Sequence, residues 1–179
     1  MLGQAGGVLT RLHAPGPPHV EVPRLRALLH ALDEHEHLQY PTGFDAGALS
    51  ARFEQLVQQL QVAFAHRCQV ERDFQDASHH GLIRVPAPAT GTGQQLVLVV
   101  SNFADMVVCA VGNTGVRSDA QTDELIDPRD AARVRAVLAR LGYLLVPEDP
   151  LWQAYDGSGP LSARYGDGRT WYERYFAHL

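Results

Sequence analysis

The chain contains no lysine: all fifteen of its basic residues are arginine. That excludes Schiff-base catalysis and the lysine-dependent phosphate loop outright. Cysteine is almost as scarce, and the separation of Cys68 from Cys109 matches neither a zinc nor a redox motif. Two reduced thiols of a cytoplasmic protein are the simplest reading, with Cys109 in an apolar run as a core residue. No apolar stretch is long enough for a membrane span or a secretory leader, so no membrane partner and a cytoplasmic location are expected. Nor is there an arginine run. With a net charge of −5, nucleic acid is excluded as a partner, because phosphate binding needs clustered positive charge.

What remains is an ordinary globular composition, 45% apolar and 20% charged over 179 residues, enough for one well-cored domain. Residues 1–20 are rich in Gly and Pro and read as a flexible arm, leaving 21–179 as a single domain. Leu25, Leu28, Leu29 and Leu32 recur at helical spacing, with Pro23 tolerated in the first turn. A second helix is capped by Asp45 and carries the stripe Leu49, Phe53, Leu56, Val57, Leu60 and Phe64.

The period then changes. Residues 68–74 alternate as a half-exposed strand, and 81–86, 96–100 and 106–111 are short β-branched runs between turns. Residues 112–126 read as a polar loop. Asp127-Pro128 opens a helix through Val134, Val137, Leu138 and Leu141, and Gly142 stops it. Residues 143–146 form one more short strand, and Thr170-x-x-Glu173 is a capping box for a final helix. The expected fold is α+β: an antiparallel meander of four to five strands with flanking helices, in the order α-α-β-β-β-β-α-β-α.

No stretch carries a complete catalytic motif, and no cofactor or metal is expected. His35-Glu36-His37, with His30 and Glu34 nearby, invites a metal reading. Histidines two apart on a helix, however, point about 200° apart and do not reach one ion. His79-His80 ends a polar loop, 75–80, between two expected strands, where catalytic histidines are often carried. With nearby carboxylates they allow a small hydrolase, although no serine or cysteine has a recognisable nucleophile turn around it. Glu148, Asp149, Asp156, Asp167 and Glu173 lie near the C-terminal segment and permit either acid–base work or a polar rim.

That segment is the most distinctive part of the chain. Residues 152–179 hold both tryptophans and half of all the aromatic side chains. Large rings either close a core or face a partner. As a binding surface the candidates are Trp152, Tyr155, Tyr165, Arg169, Trp171 and Tyr172. Ser101-Asn102-Phe103, Val146-Pro147-Glu148, Tyr155-Asp156-Gly157 and the run Arg169-Thr170-Trp171-Tyr172-Glu173-Arg174-Tyr175-Phe176 together resemble a family of small uncharacterised bacterial proteins. The resemblance covers about half the chain, from residue 95 onward, and implies no assigned reaction, so no catalytic residue is carried over.

The sequence therefore favours a non-catalytic bacterial protein that binds another protein, as an immunity-like or adaptor module. A small hydrolase with a His/carboxylate cleft is the alternative, and homodimerisation through the sheet or tail is a third reading.

Overall fold

The strand Leu96–Ser101 is buried at all six positions, and a strand buried on both faces must carry a layer on each side. The computed structural model describes residues 20–33, 36–72 and 74–178. The expected N-terminal arm lies outside them except for Val20, which is buried, and so do Glu34 and His35.

Five strands form one open sheet: β1 (Gln69–Glu71), β2 (His79–Val85), β3 (Leu96–Ser101), β4 (Met106–Val111) and β5 (Leu144–Leu145). The first four follow one another in space as an antiparallel meander. β5 pairs with β4 in parallel, so the sheet is mixed, not purely antiparallel. A parallel neighbour requires a long crossover. Two helices supply it: α3 (Asp119–Leu125) and α4 (Pro128–Arg140), numbered after α1 (Val22–Ala31) and α2 (Ala46–Phe64). The chain ends in α5 (Leu161–Tyr165) and α6 (Trp171–Phe176).

Alternation along the strands divides the core in two. Ile83, Leu98 and Val107 face α2 and α4, where Phe53, Leu56, Leu60, Val134 and Leu138 meet them. Val97, Val99 and Val108 face the other way, against Leu25 and Leu29 of α1 and against Trp171, Tyr175 and Phe176 of α6. Full burial of each such side chain contributes about 1.5–3 kcal/mol, so these two layers are the main source of stability.

Several local expectations are corrected. The strand read over 68–74 pairs only at Gln69–Glu71, where Gln69 and Glu71 are exposed. The supposed loop at 75–80 gives up His79 and His80 to β2. The polar loop at 112–126 contains α3, whose Ser118 accepts from the Gln121 amide while the Gln121 side chain accepts from the Ser118 amide. That reciprocal pair offsets two orphan donors and lets a helix with no buried side chain form. α5 was likewise not expected.

α2 ends on Ala65, which is exposed and has φ of 51°, in the left-handed region. Alanine there costs about 1–2 kcal/mol, more than glycine loses in chain entropy. Ala65→Gly is therefore expected to stabilise the protein by about 0.5–1 kcal/mol, read as a higher urea midpoint at unchanged m-value.

Candidate functional site

Consecutive strand residues normally point to opposite faces of a sheet. His79 and His80 nevertheless line the same cleft, and the register explains how. His79 pairs with Ser101 and Gly81 with Val100, which leaves His80 as the extra residue of a β-bulge. The cleft has a volume of about 640 Å³ and is bounded by the first half of α2, residues 39–44, Arg72 and residues 74–77.

Each histidine has its own setting. The His80 ring meets the Phe53 ring edge-on at 5.2 Å, and its Nε2 lies 3.5 Å from Ser50 Oγ. Gly81 is required beside it, since a Cβ at that position would run into the Phe53 ring. The His79 ring is only 6% exposed and packs on Phe74 at 4.3 Å and on His178 at 4.9 Å. Burial holds its pKa down at about 4, against a weaker opposing hydrogen bond to the Ala177 backbone. It is neutral at pH 7, and its Nδ1 has no hydrogen-bond partner among the described residues.

Around the pair stand groups that the sequence did not single out. Tyr40 and Phe44 stack on each other at 5.5 Å along one wall. Glu54, one turn beyond Ser50, takes both ends of the Arg72 guanidinium, at 2.6 and 2.9 Å, which lowers the Glu54 pKa. Asn102 Nδ2 donates to the carbonyls of Gln39 at 2.8 Å and Ala77 at 3.3 Å, tying two walls together. Nothing in the residue types alone marks Ser50, Glu54 or Tyr40. Only the bulge and the α2 packing bring them to the histidines.

The six aromatic-segment candidates form three contacting pairs. Trp171 and Tyr172 are buried, at 1% and 7% exposure, against the second face of the sheet. Trp152 is 40% exposed, stacks on Tyr172 at 4.2 Å and donates from Nε1 to Glu148. Burial raises the Glu148 pKa, and the bonds from Trp152 and the Gly115 amide oppose the shift. Tyr155 meets Trp171 edge-on at 4.7 Å, and the Arg169 guanidinium lies 5.5 Å from the Tyr165 ring centroid.

Among the described residues, His30 and His37 of the N-terminal histidine group stand in separate settings. His30 sits over Trp171 with its Nε2 3.4 Å from Asp156, whereas His37 stacks on Tyr40. Among the described residues no group of three or more His, Cys, Asp or Glu side chains is arranged to hold a metal, and no helix is long and apolar enough to cross a membrane.

Beneath both regions lies a buried ion pair that the sequence does not reveal. Arg174 Nε donates to Asp33 Oδ1 at 2.8 Å, with side-chain exposures of 0% and 1%. Asp33 Oδ2 also accepts from the Tyr155 hydroxyl at 2.7 Å and the Gly159 amide at 2.8 Å. A Cβ at Gly157 or Gly159 would overlap the Asp33 carboxylate, which explains the glycines of that loop.

Two outcomes follow from these settings. Asp33→Ala leaves a buried guanidinium uncompensated and is expected to cost about 3–5 kcal/mol by urea unfolding. Adding Arg174→Met to that variant should recover part of the loss. For His79, the folded pKa lies below the ordinary value of 6.5, so the unfolded chain takes the proton first. The stability the neutral ring contributes is complete above about pH 6.5, falls through the window below it, and is exhausted near pH 4. The fall is on the order of 3 kcal/mol. His79→Phe should flatten the urea-derived stability profile between pH 7 and 4.5 relative to the parent.

Compared with protein-family models, curated proteins and solved structures, the chain matches none.

Proposed function

We propose that this protein acts by binding a segment of another protein in the histidine cleft, as an immunity-like or adaptor module. The observation that carries the reading is the cleft itself. It is large, and it sets the rings of Tyr40, Phe44, Phe53 and Phe74 beside both histidines and the Arg72–Glu54 pair. Rings and arginine in one groove are the usual anchors of a protein interface. A volume of about 640 Å³ accommodates several side chains of an inserted segment. The bulge supports the same reading, because it spends regular pairing to turn a second histidine into the groove. The aromatic C-terminal segment plays the supporting part: its rings hold the second face of the sheet, and Trp152 offers an adjoining exposed edge.

The Ser50–His80 contact favours the second reading, a hydrolase in the same cleft. At 3.5 Å it is long for a hydrogen bond but within the looser reach of an unliganded nucleophile–base pair. Glu54 is engaged by Arg72, which leaves it a poorer partner for orienting the imidazole.

Both readings are tested together. Tagged protein is expected to retain a specific partner from bacterial lysate, and Tyr40→Ala and His80→Ala should each weaken that complex roughly tenfold or more without lowering the melting temperature. Ester hydrolysis by the parent and by Ser50→Ala should be indistinguishable. If the parent retains no partner, or if Ser50→Ala abolishes turnover, the binding reading loses to the enzymatic one. Loss of the partner in Trp152→Ala alone would move the surface to the aromatic segment.

A further inference from the structure

Arg135 and the hollow beside it have no part in the histidine cleft. A cavity of about 150 Å³ lies between α3, α4 and the β4–β5 pair. Its walls are mostly apolar, formed by Cys109, Ile126, Ala131, Val134, Leu145 and Val146. α3 roofs it without burying any side chain of its own, so the helix covers the hollow and does not fill it. Apolar cavities of this size take a guest as large as benzene.

Ala131, Val134 and Arg135 fall on one face of α4, three and four residues apart, so Arg135 rises from the apolar wall itself. Its Nε is buried and has no hydrogen-bond partner among the described residues. No ion pair among those residues engages its guanidinium. Arg135 lines the cavity and is only half-buried, so the other N–H groups of its guanidinium are the donors that an oxygen brought in by a ligand can meet.

The carboxylates at the cavity do not fill the role. Asp119 gives one oxygen to the Glu148 amide at 2.8 Å and the other to the Asp149 amide at 3.0 Å. Asp123 is exposed on α3. Cys109 contributes a neutral wall, since burial pushes its thiol up to about 12.

We propose that this cavity binds a small molecule with a compact apolar body and one hydrogen-bond-accepting oxygen, the body between α4 and β5 and the oxygen on Arg135. A hydrocarbon brings the guanidinium no acceptor, and an ammonium group brings it only further donors.

Benzoate, benzamide, toluene and benzylamine serve as probes, read by ligand-observed NMR and thermal shift on the full chain. Benzoate and benzamide are expected to bind in the millimolar range or tighter, roughly tenfold better than toluene, with benzylamine weakest. Ala131→Leu fills the hollow and should abolish binding of all four. Arg135→Leu keeps the apolar walls and should erase the preference for an oxygen while toluene still binds. The proposal is overturned if no probe binds the parent, if benzylamine matches benzoate, or if benzoate binding survives Arg135→Leu unchanged. None of these readouts depends on the histidine cleft, so the two proposals stand or fall separately.

Discussion

The Arg174–Asp33 pair is the constraint on which the rest of the structure depends. Two charges withdrawn from water are expensive, and their mutual attraction compensates only when the remaining hydrogen-bonding capacity is also met. Here it is met. Both Asp33 oxygens have partners, and Arg174 donates further to the carbonyls of His37 at 3.1 Å and Leu38 at 3.2 Å. The guanidinium also lies 4.8 Å from the Phe103 ring centroid and 4.9 Å from that of Tyr175. The pair thus fixes the end of α1, the 155–159 loop, α6 and the stretch that leads into Gln39 and Tyr40. Because that stretch is a wall of the cleft, its geometry is set from the opposite side of the sheet.

The sheet links the two regions in a second way. Ser78 donates to the Ala177 carbonyl and accepts from the Ala177 amide, and Ala77 bridges His178. The end of α6 is therefore stitched to the start of β2, where the bulge presents the two histidines. Ser101 adds another stitch, donating to the Tyr175 carbonyl at 2.8 Å while accepting from the Phe103 amide at 3.0 Å. The aromatic segment and the histidine cleft are two ends of one braced assembly.

Features set by local chemistry were legible in the sequence. Asp45, Asp127 and Thr170 cap the helices they were expected to cap, and the stripes of α2 and α4 face the core. α3 was legible in principle, because Ser118-Asp119-Ala120-Gln121 matches a capping box; its polar face hid it. Pairing was not legible. The parallel seat of β5 depends on how far a crossover reaches, and the bulge at His80 is a property of register against Ser101 and Val100. Asp33 and Arg174 stand 141 residues apart, and neither carries a local sign of the other. The six aromatic candidates lie in one stretch of chain and meet in three pairs, but the groups around the histidines come from four separate stretches.

That separation bears on how the chain leaves the ribosome. With 141 residues between Asp33 and Arg174, synthesis at about 5–20 residues per second takes roughly 7–28 s to deliver the second partner after the first. Through that interval α1 has no α6 to lie beside, and Asp33 has no guanidinium to offset its burial. α2 and the β1–β4 meander involve only residues 46–111 and can associate earlier. The last layer is thus a closing step, and a nascent chain arrested before residue 174 would display its sheet with one face uncovered.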